Sequence, residues 1–303
     1  MYKKNIKISV IVPTFNSQFT ISKCLNSIIN QDFKNFEIIV VDDGSTDDTL
    51  VIIENIQTKI DVKIKIIRNS HQGVSISRNI GVQNSSGKYI LFVDSDDYIN
   101  QGLLSELVKY NEDIIKFRFF CSNGTERFES ELFSRKNGND VLRKFCSHQK
   151  IFATPWGYLF KKKLFFDNNL FFLENKTHED FGLIPLLIMK AHTVRSIPFI
   201  GYNYIKRSGS ITLENSFNKE ITRMSDFIDQ FIFLLNRISE ENISDEDKKT
   251  YYNYFINRLN IKFQNFKKNI ENSSDYKKVV EQCQNRINMF LITLHLDYLI
   301  IIK

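Results

Sequence analysis

Gly87-Lys88-Tyr89-Ile90-Leu91-Phe92-Val93-Asp94-Ser95-Asp96-Asp97 is the stretch that decides how this 303-residue chain folds. An apolar run of strand length ends abruptly in three carboxylates within four residues. Open α/β sheets bind ligands beyond the carboxyl ends of their strands, so this is where a site is expected. Carboxylates this close repel, and the cluster is tolerable only where solvent or a cation compensates. In extended backbone, positions i and i+2 point the same way, which lets Asp94 and Asp96 face one site while Asp97 faces away. Oxygen ligands select a hard divalent ion, Mn²⁺ or Mg²⁺, which completes its shell with substrate phosphates. The implied ligand is a nucleoside diphosphate. An acidic turn capping a helix over Leu103–Tyr110 is the alternative.

Upstream, short β-branched runs alternate with helical patterns, the signature of a parallel sheet flanked by helices. Strands are expected at Ile8–Val12, Glu37–Val41, Lys63–Ile67 and Lys88–Val93. Helices are expected where Ile21, Leu25, Ile28 and Ile29 recur, around Leu50, Ile53 and Ile56, and over Ser75–Val82. From Tyr110 to Lys176 the pattern is less regular and rich in Phe, suiting strands and short helices of a second half. A helix over Phe181–Ala191 and a polar turn at Lys206–Ser210 follow. Beyond residue 213 the pattern is helical, with Tyr252, Phe255, Ile256, Leu259, Phe263, Phe266 and Ile270 on one face. The expected architecture is α/β: a Rossmann-like, mostly parallel sheet over residues 1–212, divided at 110/111, with a helical extension over 213–303.

Composition narrows the function classes. With 42% hydrophobic and 25% charged residues, the chain is ordinary globular protein, and at this length it buries ~75% of its unfolded surface. Its net charge of +6 is unevenly placed: residues 1–247 hold 31 basic and 31 acidic residues, residues 248–303 hold 10 and 4. A nucleic-acid-binding body would spread its basic residues, so none is expected as partner. Cys24, Cys121, Cys146 and Cys283 show no zinc spacing and suit a reducing compartment. Lys3, Lys4 and Lys7 precede an apolar run, but Ile8–Val12 is too short for a signal peptide and ends at Pro13. No uncharged apolar stretch reaches the ~20 residues of a membrane span.

A second acidic pair follows the second strand in Val41-Asp42-Asp43-Gly44-Ser45-Thr46. Asp-Gly makes a turn and Ser45 or Thr46 caps the next helix. That structure does not need both aspartates, and one at a strand's carboxyl end can accept from a base N–H or a ribose hydroxyl. Neither Gly-x-Gly-x-x-Gly after the first strand nor Gly-x-x-x-x-Gly-Lys-Ser/Thr occurs, against a dinucleotide oxidoreductase and a P-loop NTPase. A diphosphate must then be held by metal and basic side chains, with Arg78 and Arg207 as candidates. Trp156, the only tryptophan, lies in Pro155-Trp156-Gly157; it suits stacking on an acceptor sugar, with core packing as the alternative.

Together these residues resemble a family. Ile8 to Phe15 with Pro13 and Thr14, Val41-Asp42-Asp43-Gly44-Ser45, Ser77-Arg78-Asn79-Ile80-Gly81 and Gly87 to Asp97 are similar to successive blocks of family 2 glycosyltransferases. The likeness is dense over the first hundred residues, sparse to Ser210 and absent from the C-terminal third. Phe15 departs from it, many relatives carrying Tyr. The resemblance implies an A-type glycosyltransferase fold that binds a nucleotide-sugar donor through Pro13, Thr14, Asp42 or Asp43, Arg78, Asp94 and Ser95. Thr14 and one of the aspartates would meet uracil, Arg78 the nucleotide and Asp94 the ribose, with the metal on Asp96 and Asp94. Tyr204-Ile205-Lys206-Arg207-Ser208-Gly209-Ser210 is similar to the family's basic turn over the diphosphate, which adds Lys206 and Arg207; a solvated loop is the alternative.

The family's base lies in a Glu-Asp pair opening a helix, here His178-Glu179-Asp180. An aspartate of ordinary pKa, ~3.9, is ionised at neutral pH and ready to accept a proton. Thr177-x-x-Asp180 is also a near match to a capping box. His178 is a candidate for acceptor contact. The expected activity is inverting transfer of a hexose from a UDP-sugar to a glycan or lipid-linked glycan, in capsule, O-antigen or exopolysaccharide synthesis. A nucleotide-sugar hydrolase, a nucleotidyltransferase and a non-catalytic nucleotide-sugar-binding partner are the alternatives. The basic tail beside apolar Ile287–Ile302 suits peripheral attachment to the inner face of the cell membrane from a cytoplasmic enzyme. Packing on the protein itself or on a second subunit of a homodimer is the alternative.

Overall fold

The structure is a computed structural model and describes residues 7–60, 62–121, 127–128, 131–149, 153–206 and 216–296. Strands and helices alternate first: β1 (Ile8–Thr14), α1 (Ile21–Ile29), β2 (Phe36–Asp42), α2 (Thr49–Gln57), β3 (Ile64–Arg68), α3 (Val74–Gln83) and β4 (Tyr89–Phe92). Shorter elements follow: β5 (Tyr98–Ile99), α4 (Leu103–Leu107), β6 (Ile114–Cys121), β7 (Arg127–Phe128) and α5 (Gly138–Ser147). A 3₁₀ turn (Pro155–Gly157), β8 (Tyr158–Lys161), α6 (Lys163–Asp167), α7 (Glu179–Lys190) and β9 (Val194–Tyr204) come next. Three long helices close the described chain: α8 (Phe217–Ser239), α9 (Asp245–Ile270) and α10 (Tyr276–Thr293).

Among the described residues the strands form one sheet in the order β3-β2-β1-β4-β8-β6-β9-β5, with β7 paired to β6. β1 runs parallel to β2 and β4, and β2 to β3. The second half is mixed: β8 is antiparallel to β4 and β6, β5 to β9 and β7 to β6, while β9 returns parallel to β6. Every residue of β1 and β2 is buried, because helices cover both faces of a parallel sheet. Glu37, fully buried on β2, is held by Ser9 Oγ at 2.7 Å and by the Ser86 amide at 2.6 Å. Gly87 lets the turn before β4 touch β1, since a Cβ there would lie 2.6 Å from the Ser9 nitrogen.

The chain divides into two compact units. The first, from Met1–Val141, Thr154–Asn175 and Leu187–Arg207, contains the sheet. The second, from Leu142–Ala153, Lys176–Leu186 and Ser208–Lys303, is built on the three long helices. There Phe231, Leu234, Tyr251, Phe255, Leu259 and Phe263 are buried. Ser216 and Ser244 cap α8 and α9 through the amides of Lys219 and Asp247. Three acidic residues open α9 and Lys267 and Lys268 close it, matching the helix dipole at both ends. All four cysteines are free and buried. No helix of the described residues is long and apolar enough to cross a membrane.

Candidate active site

Because β1, β2 and β4 are parallel, their carboxyl ends open on one edge of the sheet. Thr14 and Asp42 sit there at matched register, both buried. Thr14 Oγ1 and Asp42 Oδ1 have no hydrogen-bond partner among the described residues. Asp42 Oδ2 accepts from the Ser45 amide at 3.1 Å, across the turn that Gly44 makes at φ +81°. A buried polar atom left unsatisfied costs about 1–3 kcal/mol, so two at matched register mark a place where a ligand's polar edge is wanted.

Asp43 is committed differently. Its Oδ1 accepts from Asn69 Nδ2 at 2.9 Å and from the Gln72 amide at 2.8 Å, and its Oδ2 from the Gly73 amide at 2.8 Å. Its own amide donates to the Thr14 carbonyl at 2.8 Å. Asp43 thus ties the β3–α3 loop to the sheet edge, while Asp42 leaves one oxygen without a partner among the described residues. Pro13, opposite Val41, is buried in β1. Phe15 is 42% exposed, with its ring centroid 4.2 Å from that of His71.

The acidic loop stands beside this pair. Arg78 of α3 is buried and donates from Nη2 to Asp94 Oδ1 at 2.9 Å. Ser95 Oγ meets Ser17 Oγ at 2.8 Å, and the Asp94 carbonyl accepts from the Asp97 amide at 3.0 Å. Asp96 is partly exposed, whereas Asp97 is buried. Burial, and secondarily the Asp94 charge, push the Asp97 carboxyl up to about 7. Among the described residues no three His, Cys, Asp or Glu side chains converge as a metal cage. Asp94 and Asp96 can therefore offer a cation at most a pair of carboxylates. That donor set fits a hard divalent ion whose remaining ligands are phosphate and water, and it does not fit a closed structural site.

Trp156 is 6% exposed, its ring stacked 4.5 Å from Tyr202 and 5.7 Å from Tyr204, with Phe119 edge-on at 4.7 Å. Core packing describes its surroundings. Lys206 is exposed after β9; Arg207 lies outside the described residues. His178, Glu179 and Asp180 belong to the second unit, at the start of α7. His178 adopts φ +57°, its ring edge-on to Phe227 at 5.3 Å. Burial, and then Lys262, pull its pKa down to about 4, so it is neutral at physiological pH. Thr177 Oγ1 donates to Asp226 Oδ2 at 3.2 Å, and Asp180 Oδ1 accepts from the Phe181 amide at 2.8 Å.

Sequence patterns do not single out Tyr202, whose hydroxyl accepts from the Asp94 amide at 3.1 Å and donates to Asp97 Oδ2 at 2.7 Å. It lies over a hundred positions from either partner. Alternation in Tyr202-Asn203-Tyr204 is the only local signal of a strand presenting a polar tip.

The mixed sheet flanked by helices, with C-terminal helices after it, is that of an A-type glycosyltransferase. The family model described as "Glycosyl transferase family 2" matches residues 9–167, and the chain belongs to that family. Glycosyltransferase GlyA of Streptococcus pneumoniae is 34% identical over 224 residues, covering 68% of this chain and 31% of that protein. The GalNAc(5)-diNAcBac-PP-undecaprenol beta-1,3-glucosyltransferase of Campylobacter jejuni is 38% identical over 175 residues, covering 56% of this chain and 54% of its own. The chain thus spans between about a third and a half of the length of these curated relatives. Among solved structures, residues 1–349 of Staphylococcus aureus TarS in complex with UDP-GlcNAc superpose with a TM-score of 0.58 at 23% identity. That match covers 96% of this chain and 91% of TarS 1–349.

Proposed function

We propose that the chain is an inverting glycosyltransferase that moves a hexose from a UDP-sugar to a glycan or lipid-linked glycan, with residues 1–212 as its catalytic domain. The observation that carries this reading is the buried, unsatisfied pair Thr14 Oγ1 and Asp42 Oδ1 beside the Arg78–Asp94 ion pair. A uracil edge offers both an N–H and carbonyl oxygens, the complement such a pair requires. Support from relatives is of two kinds: a lipid-linked glycan acceptor in the printed name of the C. jejuni enzyme, and UDP-GlcNAc in the TarS complex.

In this reading Pro13 and Ser95 shape the donor edge, Arg78 holds Asp94 beneath the nucleotide, and Lys206 and Arg207 meet the diphosphate. Asp94 and Asp96 would hold Mn²⁺ or Mg²⁺, which neutralises charge on the departing diphosphate when bound. Asp180 accepts the proton of the acceptor hydroxyl as its oxygen bonds the anomeric carbon, and UDP leaves from the opposite face with inversion. Glu179, His178 and Trp156 are assigned to the acceptor. A capsule, O-antigen or exopolysaccharide precursor is the acceptor class.

The test is nucleotide release from a panel of nucleotide sugars with Mn²⁺ or Mg²⁺, with and without candidate acceptors. Acceptor-dependent release is expected; release indifferent to acceptor would make the protein a hydrolase or nucleotidyltransferase. Calorimetry with UDP separates the aspartates. Asp42→Asn is expected to weaken UDP at least ~10-fold, because the amide presents the wrong hydrogen-bonding group to a base N–H. Asp43→Asn should instead lower the melting temperature, since its bonds are internal. Equal UDP affinity in wild type and Asp42→Asn would defeat the reading.

The C-terminal region is proposed to hold the enzyme peripherally on an anionic membrane face in the cytoplasm. On α10, Ile287 and Leu291 are buried while Met289 and Ile292 are 70% and 56% exposed, and Lys277 and Lys278 are exposed in its first turn. Residues 297–303 lie outside the described residues. Each basic residue near such a surface contributes about 1 kcal/mol, so high-salt washing should release the full chain from anionic vesicles. Absence of vesicle binding with a dimeric mass in solution would assign the face to a homodimer.

A further inference from the structure

We propose that Tyr202 and Asp97 are positioning residues that lock the acidic loop to the end of β9, so that the donor carboxylates and Lys206 are held together. The inference rests on the donor reading above and concerns two residues that the reading itself leaves without a role.

The geometry is a closed circuit. The Tyr202 phenol has one proton, and it goes to Asp97 Oδ2 at 2.7 Å; its lone pair takes the Asp94 amide at 3.1 Å. Asp97 Oδ1 takes the Ile205 amide at 2.7 Å, one residue before Lys206. The Asp97 amide returns to the Asp94 carbonyl at 3.0 Å. Asp94 is therefore fixed at its backbone by Tyr202 and at its carboxylate by Arg78.

The circuit is also shielded. Tyr202 is fully buried and Asp97 is 2% exposed. The Tyr202 ring lies flat on Trp156, their planes 8° apart, and Phe119 meets Trp156 edge-on. With the ring buried and stacked on Trp156, the hydroxyl cannot follow a moving loop, so the loop must follow the hydroxyl. An acidic turn needing only a helix cap would use a short exposed side chain. Here a carboxylate is buried between a strand and a loop, where it costs free energy unless hydrogen-bonded. Pre-organisation of this kind holds a site near its productive geometry and lowers the ordering cost of binding.

Tyr202→Phe tests this most cleanly, keeping the ring and its stack on Trp156 and removing only the hydroxyl. Calorimetry with UDP and Mn²⁺ on the full chain is expected to show affinity lowered about 10-fold, the equivalent of 1.4 kcal/mol. The donor KM should rise with it, while the acceptor KM holds and kcat changes less than the donor KM. Asp97→Asn, which keeps the size and loses the charge, should weaken UDP in the same direction. A double variant weaker than either single by less than the product of their effects would show that they act together. A merely structural role would lower the melting temperature of both variants and leave UDP affinity and donor KM at wild-type values, which overturns the inference. Should either variant fail to fold, amide exchange in the wild-type chain decides. Exchange at Asp94 and Ile205 should slow together on adding UDP, and slowing at one alone overturns the coupling. A wild-type chain that neither binds UDP nor turns over donor removes the donor reading, and this inference with it.

Discussion

Asp180→Asn is expected to lower kcat about 10²–10⁴-fold while UDP affinity by calorimetry stays within about twofold. Positioned general-base catalysis is worth that much, and loss of kcat without loss of donor binding is how a group acting only in the transition state reveals itself. Asparagine is the informative replacement because Asp180 Oδ1 accepts from the Phe181 amide, a bond the amide oxygen preserves. The start of α7 therefore survives, apart from a carboxylate's favourable interaction with the helix dipole, about 0.3–1 kcal/mol. The Thr177 hydroxyl donates to Asp226 of α8, a bond the substitution leaves in place. Glu179→Gln, in the same first turn, should cost less than about tenfold. Turnover by Asp180→Asn within threefold of wild type would move the base elsewhere, and the companion variant shows whether to Glu179.

The strands around the donor edge are legible because they are buried on both faces. β1, β2 and β4 read as apolar runs interrupted within only by Ser9 and Glu37, and the residues at and beyond their ends as a change of chemistry. The same logic hides β9. Val194–Tyr204 carries Arg195, Pro198, Gly201 and Asn203 within eleven residues, and both Pro and Gly argue against a central strand. The structure accommodates them by irregular pairing: the register of β6 on β9 shifts between Lys116 and Arg118 and again between Arg118 and Phe119. β5, two residues long, has no periodicity to detect. The mixed pairing of the second half follows from elements too short or too interrupted to announce direction.

Within the candidate site, what is local in sequence is visible and what is distant is not. Asp94, Asp96 and Arg78 stand out by charge beside apolar runs. Choosing between Asp42 and Asp43 needs Asn69, Gln72 and Gly73, which reach Asp43 from the next loop. Asp97 is visible as the third charge of a cluster, yet its partners Tyr202 and Ile205 arrive only when β9 packs beside β6 and β5. Trp156 illustrates the converse: an isolated aromatic between Pro and Gly leaves sugar stacking and core packing open, and only the stack on Tyr202 shows that one of its faces is covered. Polar placement in this fold depends on pairings between residues from 16 to 108 positions apart, and composition near any one position does not encode them.

Phe92→Ala is expected to remove about 3–5 kcal/mol of stability, the usual cost of truncating a buried Phe to Ala, measured by chemical denaturation. Phe92 is fully buried on β4, between β1 and β8, and its ring meets Phe160, Phe165 and Phe172 edge-on at 6.4, 6.2 and 5.6 Å. Three rings lose a partner together, and close-packed rings on a sheet relax poorly into the gap. At about 2–4 °C per kcal/mol for a domain of this size, the melting temperature should fall on the order of 10 °C. The consequence reaches the site through Phe172, whose backbone exchanges two hydrogen bonds with the Asn79 side chain at 2.9 and 3.0 Å. Asn79 adjoins Arg78 on α3, and the Arg78 guanidinium lies 5.5 Å from the Phe172 ring. Loosening Phe172 should therefore let Arg78 drift from Asp94 and weaken UDP several-fold in the protein that remains folded. Phe92→Leu fills most of the gap and should cost about 1–1.5 kcal/mol, leaving UDP affinity intact. A Phe92→Ala loss below about 1 kcal/mol would mean that this core repacks, and that the donor edge does not depend on the ring beneath it.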